Sequence, residues 1–376
     1  MPKNLNVLAL SFLIVSCGGG SENEGVDRDE DVFVQNEETF AQGFKVIDLG
    51  THRELIMMES DQNIEFARYY LLNEGQISPA GVDTNYVIHT PVNSVVCGST
   101  GHASYFSVLG RTDVIKGSVY ADRAMDPDVV TAISSGSILD VTGANEIDVE
   151  KVIELDPDLV IIYPSMSGVF DEIQQAGIKV MYFAEHSELH PLGRSEWIKV
   201  VGNVLNEKEN AEIYFDELKN RYGQVKNEAM LSSSMPLVFF GSAWKGVWQA
   251  PGGRSASARL LRDAGARYLF EDNESIRGMQ VDIEVLLDKG NNADFWGMVL
   301  AGDPTEFVNE MERSDPLMMT LNPVKNRHIL YCDTEVSDYF GRAMLEPDVL
   351  LSDLVHIFHP GYLPEHDLVY FHMIDR

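Results

Sequence analysis

Apolar and polar positions change rhythm along this chain, and each rhythm predicts a different kind of element. "FKVIDLGTHRELIMM" and "FARYYLLN" alternate apolar with polar residues, the period of half-buried strands. They predict an N-terminal β-hairpin extension over residues 41–90, with the main body starting near Pro91. From there "NSVVCG", "VIKGSV", "DLVIIY" and "KVMYFA" read as short strands, and "ASYFSVLG", "PDVVTAISSG", "DVEKVIEL" and "GVFDEIQQAG" as helices. Strands alternating with helices over short connections predict a mostly parallel sheet, so residues 91–189 form an α/β lobe. Residues 190–231 differ: Trp197, Val200, Val201, Val204, Ala211, Tyr214, Phe215, Leu218 and Tyr222 fall at helical spacing. They predict a long connecting helix, broken near Asn206 where "NEKEN" offers a new cap. Over residues 232–376 "MPLVFFGS", "ADFWGMVL" and "HILYCD" restore the alternation, and "EPDVLLSDLVHIFHP" closes the second lobe as an amphipathic helix.

One pattern occurs twice. "EIDVEKVIELDPDLVIIYP" (146–164) and "VDIEVLLDKGNNADFWGMVL" (281–300) share the order cap Asp, apolar residue, Glu, apolar helix, acid and apolar strand. Asp148 matches Asp282 and Glu150 matches Glu284, at a separation of 134 residues (282 minus 148), too far apart for a solenoid repeat. Two similar lobes account for it. Locally, each Glu belongs to the first turn of a helix, where the helix dipole favours a carboxylate by about 0.3–1 kcal/mol.

Composition narrows the partners. The 376 residues, 44% apolar, can bury a substantial core, and 28 Lys and Arg oppose 59 Asp and Glu for a net charge of -31. That balance excludes nucleic acid, whose phosphates need clustered cations, and favours cationic partner surfaces. No phosphate-cradling glycine loop is present.

The N-terminus reads as an export signal: Lys3 supplies a positive start and "VLALSFLIV" an apolar stretch too short to span a bilayer. "LIVSC" resembles a bacterial lipobox, which implies a signal peptide over 1–16 and lipidation of Cys17. Residues 17–40 are expected to be an acidic, flexible tether, with Arg28 alone against six acids between Glu22 and Asp31. Cys97 and Cys332 remain, each inside an apolar run, and are expected to be two separate buried thiols.

The block order resembles the helical-backbone class of bacterial solute-binding proteins, which deliver iron-siderophore complexes, haem or cobalamin to ABC importers. "VVCGSTGHASYFSVLGRTDVIKGSV", "DVEKVIELDPDLVIIY", "AEHSELHPLGRSEWIKVVGNVL", "WQAPGGRSASARLLRDAGARYLFEDNES" and "EPDVLLSDLVHIFHP" carry the resemblance, over roughly residues 41–372. It implies two Rossmann-like α/β lobes joined by a single long helix, with a ligand cleft between them. It also implies that Glu150 and Glu284 meet arginines of the importer's permease subunits. The implied protein is a lipid-anchored receptor of the cell envelope with no cofactor and no catalysis. Its ligand would be a ferric chelate, haem or corrinoid, an iron complex being favoured because iron-chelate receptors are the larger part of the family.

Several residues are candidates for holding that ligand. Ser99, Thr100 and His102 stand at a helix start, where hydroxyls and free N–H groups suit an anionic group, although Ser99 or Thr100 could equally be a cap. "SAWKGVWQAPGGRS" gathers Trp244, Trp248 and Arg254 in what reads as one Gly-rich loop, with indole faces for a planar ligand and a guanidinium for an anion. In "TEVSDYFGRAM", Tyr339, Phe340 and Arg342 stand where the class often carries an Asn-rich segment with an aromatic. Two other functions compete. A receptor for bare zinc or manganese would use His102, His186, His190 and a carboxylate, yet "HSELHPLGR" reads better as a turn than as a metal site. An exported hydrolase lacks both a G-x-S-x-G elbow and an H-E-x-x-H helix.

Overall fold

The computed structural model describes residues 39–374 except 145, 245, 246 and 315. The predicted signal peptide, Cys17 and all but the last two residues of the expected tether lie outside the described residues.

The N-terminal extension is larger than a hairpin. Phe44–Asp48 and Arg53–Glu59 do form one, and Ile64–Asn73 adds a third antiparallel strand, to which Val87–Thr90 pairs in parallel. Leu55, Met57, Tyr69 and Leu71 turn inward from this four-stranded sheet and are fully buried.

Residues 40–43 are fastened by two buried carboxylates. Glu196 accepts the N–H groups of Phe40 and Ala41, both at 2.8 Å, and Glu188 accepts those of Gln42 (2.9 Å) and Gly43 (2.8 Å). Arg53 ties the sheet on from the other side. Its guanidinium donates to the Asn203 carbonyl and to side-chain oxygens of Asn203, Asn73, Thr90 and Asn206. Buried and without a carboxylate partner in hydrogen-bonding reach, that guanidinium is held below its ordinary pKa by desolvation.

The first lobe is a parallel sheet in the order Lys179–Tyr182, Leu159–Ile162, Val95–Cys97, Ile115–Ser118, Leu139–Asp140. Its central strands are buried on both faces, which is why they read as unbroken apolar runs. Helices α1 (Thr100–Val108), α2 (Pro127–Ser134), α3 (Val149–Leu155) and α4 (Phe170–Gln175) connect them.

The connecting segment opens with two short helices, α5 (Pro191–Glu196) and α6 (Ile198–Leu205), and continues in the 23-residue α7 (Lys208–Met230). The break falls at Asn206, whose φ of 57° puts it in the left-handed region that Asn tolerates. Along α7, Ala211, Phe215, Leu218 and Tyr222 recur every three or four residues and form the buried stripe.

The second lobe repeats the plan. Arg267–Tyr268, Leu237–Phe240, Phe295–Leu300 and Ile329–Asp333 are parallel neighbours, and His372–Met373 closes the edge antiparallel. Helices α8 (Ala256–Asp263) and α9 (Ile283–Gly290) belong to this lobe. Cys97 and Cys332 are free and buried in central strands of different sheets, and burial pushes the Cys332 thiol up to about 12. They are the two separate thiols expected from the sequence.

Candidate functional site

A cleft of about 830 Å³ opens between the lobes, at the carboxyl ends of the two parallel sheets. From the first lobe it is lined by Ser99 and Thr100, which follow the strand Val95–Cys97, and by Tyr120 and Asp122 to Met125, which follow Ile115–Ser118. From the second lobe come Ala301, after Phe295–Leu300, and Thr334, Glu335 and Ser337 to Phe340, after Ile329–Asp333. This is the crevice in which open parallel sheets hold ligands.

Ser99 caps α1: its hydroxyl accepts the His102 N–H at 3.1 Å and shares a hydrogen bond with the Tyr163 hydroxyl at 3.0 Å. The sequence left a cap and a ligand contact as alternatives, and the position on the cleft wall is compatible with both. Tyr120 has a φ of 55°, uncommon for an aromatic residue, and its N–H is held by the Thr142 hydroxyl at 2.7 Å. That conformation leaves its ring partly exposed at the cleft, with the Arg123 guanidinium 4.7 Å from the ring centroid. Tyr339 is half-buried in the facing wall, and burial raises its hydroxyl to about 12. Phe340 beside it is 67% exposed.

The lobes touch where α1 meets Phe340. A Cβ on Gly101 would stand 2.6 Å from the Phe340 carbonyl oxygen, so only glycine permits this approach. Arg342 spans the same junction, pairing with Glu346 in the second lobe at 2.6 Å and with buried Asp126 at the start of α2 at 3.6 Å.

Three predicted ligand residues, Ser99, Thr100 and Tyr339, come together here, and three others do not. His102 is fully buried, because α1 is covered on nearly every side, and it packs against Tyr163 and Phe183 with Nε2 3.7 Å from Glu185. Burial opposes ionisation of Glu185, but the adjacent His102 and His186 rings outweigh it and hold the carboxyl below its ordinary range.

Trp248 is likewise a core residue. The segment read as a Gly-rich loop is a hairpin of Ser242–Trp244 with Val247–Pro251, and the second strand turns Trp248 and Ala250 inward. The Trp248 ring packs on Phe239 and Trp296, and its Nε1 donates to the Phe240 carbonyl. Trp244 ends the first strand of that hairpin. Arg254 lies away from the cleft lining, exposed and paired with Glu274 at 3.2 Å.

Conversely, Tyr120, Asp122, Arg123, Glu335 and Asp338 were not singled out from the sequence. The available signal was their place directly after parallel strands.

Among the described residues, no group of three or more His, Cys, Asp or Glu side chains is set to hold a metal ion. His190 is engaged as a cap: its Nδ1 accepts the Leu192 N–H at 3.0 Å, so the neutral ring carries its proton on Nε2, 4.0 Å from Asp263. Burial first, then Arg259 and Lys226, hold His190 at about 4 rather than 6.5, with Asp263 opposing. Its contribution to stability is therefore complete above about 6.5 and declines as pH falls toward 4, because the unfolded chain takes the proton first. The loss is at most about 3 kcal/mol. In urea titrations His190→Asn, which keeps an acceptor, should lose less stability than the wild type between about pH 7 and pH 5. Equal losses would contradict this.

Glu150 and Glu284 occupy equivalent places. Both are exposed in the first turn of a helix, α3 and α9, and neither has an ion pair among the described residues. Asp148 caps α3 by accepting the Lys151 N–H at 3.2 Å, whereas the Asp282 side chain makes no capping bond to α9. Glu150 also lines an open hollow of about 750 Å³ with Glu146, Asp148 and Glu172, an acidic surface. Among the described residues no helix is long and apolar enough to cross a membrane.

Comparison with known proteins agrees with this architecture. The chain is 23% identical over 287 residues to an uncharacterized lipoprotein of Methanocaldococcus jannaschii, covering 74% of this chain and 68% of that one. It is 22% identical over 245 residues to the petrobactin-binding protein YclQ of Bacillus subtilis, covering 64% of this chain and 74% of that one. A periplasmic heme binding protein from Pseudomonas aeruginosa shares the fold with a TM-score of 0.58 at 17% identity, covering 72% of this chain and 94% of that one. The characterised relatives are binding proteins, not enzymes. Residues 95–336, more than half of the chain, match the family model described as periplasmic binding protein, and the chain belongs to that family.

Proposed function

We propose that this protein is the solute receptor of an ABC importer, a lipoprotein tethered through Cys17 that captures an iron complex, siderophore or haem, and delivers it to the permease. The observation that carries this reading is the cleft of about 830 Å³ between the carboxyl ends of two parallel sheets, lined by aromatic rings and hydroxyls. Its size suits a ligand much larger than a bare ion. Two matched proteins named for petrobactin and heme binding support an iron complex as the class of cargo. Glu150 and Glu284 would present one carboxylate from each lobe to arginines of the permease, where such pairs set register and encounter rate more than affinity.

The test is a fluorescence titration of residues 39–376 against ferric siderophores, haem, cyanocobalamin and zinc. Trp197, Trp248 and Trp296 are fully buried, so these three report coloured ligands by energy transfer, and binding of colourless zinc is followed by calorimetry instead. Saturable quenching at submicromolar ligand, on the order of -8 kcal/mol or better, is expected for a ferric siderophore or haem. Binding of cyanocobalamin alone would move the assignment to a corrinoid receptor, binding of zinc alone to a metal-ion receptor, and no binding would contradict it. Gly101→Ala, which forces the Phe340 segment away from α1, should weaken the same titration by about tenfold. Unchanged affinity would mean that the Gly101–Phe340 approach does not shape the site.

A further inference from the structure

The cleft is polarised against anions. Among its described lining residues Asp122, Glu335 and Asp338 are acidic and Arg123 alone is basic. Arg123 is drawn to the ring of Tyr120, 4.7 Å from its centroid, an arrangement in which the π-face takes up part of its field. Outside that lining, Arg342 is neutralised by Glu346 at 2.6 Å and Asp126 at 3.6 Å, and its backbone N–H is already given to Asp338 at 2.9 Å, while Arg194 lies behind Tyr339 and outside the cleft lining. The whole chain adds a net charge of -31, which repels anions at longer range.

A polyanion entering this cleft would meet three carboxylates for each guanidinium. Removing its hydration shell would then be poorly compensated. A cation or an uncharged complex meets the opposite situation. The exposed ring of Phe340 offers a π-face to a positive group, and the hydroxyls of Ser99, Thr100, Thr334 and Ser337 can bond to uncharged polar groups.

Resting on the receptor reading above, we infer that the solute is a metal chelate without net negative charge, of the cationic or neutral ferric hydroxamate kind. Trianionic ferric tris-catecholates are selected against. Glu335 and Asp122 act as specificity-determining residues, placed to favour a positive group on the ligand.

The experiment is calorimetric titration of residues 39–376 with three iron complexes. These are ferrioxamine carrying its free ammonium group, the same complex with that amine acetylated, and a trianionic ferric tris-catecholate. The ammonium form should bind about tenfold more tightly than the acetylated form at low salt, and the gap should narrow at about 0.5 M salt as the charges are screened. The tris-catecholate should bind weakest. Combining Asp122→Asn with Glu335→Gln should bring the ammonium and acetylated forms within about twofold of each other. If the tris-catecholate binds best, or acetylation changes nothing, the charge inference is overturned and the receptor reading stands. Absence of saturable binding by all three contradicts the charge inference, and the receptor reading falls with it only if the wider panel of siderophores, haem, cyanocobalamin and zinc also fails to bind.

Discussion

Glu188→Ala is expected to lower stability by about 4 kcal/mol, the largest loss anticipated from a single side chain outside the cleft. The Glu188 carboxylate is 2% exposed and accepts three hydrogen bonds, from the Gln42 and Gly43 N–H groups and from the Trp197 indole at 2.8 Å. Alanine leaves three donors without an acceptor, the Gly43 N–H and Trp197 indole buried and the Gln42 N–H part-buried, each costing up to about 1–3 kcal/mol and partly relieved by water entering the gap. Burial pushes this carboxyl above its ordinary range while the same donors pull it back, so the donors rather than the bare charge give the side chain its value. Glu188→Gln retains one carbonyl oxygen but sets an amide N–H against a backbone N–H, and its cost should be intermediate. Urea unfolding read by circular dichroism measures both. A loss below about 1 kcal/mol for alanine would mean that residues 40–43 are held mainly by Glu196 and packing.

The second large effect concerns transport. Glu150→Ala combined with Glu284→Ala should abolish solute uptake in cells while leaving solute affinity within about twofold, since neither side chain lines the interlobe cleft. Each single variant should retain part of the activity, because one lobe still carries its carboxylate. The folded state tolerates the change: both residues are exposed, and dipole interactions at two helix starts amount to at most about 2 kcal/mol together. Full uptake by the double variant, at matched expression, would remove these residues from the docking role.

Much of this architecture was legible in the chain because parallel strands buried on both faces appear as short continuous apolar runs. "DLVIIY" and "HILYCD" could hardly be anything else. The connecting helix was legible by its 3.6-residue stripe, and its break by Asn206. Less was visible in the N-terminal sheet. Val87–Thr90 pairs in parallel with Ile64–Asn73, and such non-local pairing leaves no mark beyond an apolar run.

The cleft illustrates a further limit. Residue type suggested His102 and Trp248 as ligand contacts, but whether a side chain faces solvent or core depends on what covers its element. α1 is enclosed, and the strand carrying Trp248 alternates with that residue inward. Position served better than type: the residues that do line the cleft follow parallel strands directly, as Tyr120 follows Ile115–Ser118 by two positions and Thr334 follows Ile329–Asp333 by one.

The most direct measurement is a crystal structure of residues 39–376 saturated with the tightest-binding chelate of the titration panel. The account predicts the chelate between the lobes, touching Tyr120 and Phe340, with Ser99 or Thr100 within hydrogen-bonding distance. A chelate bound anywhere else, with this cleft free of ligand, would contradict it.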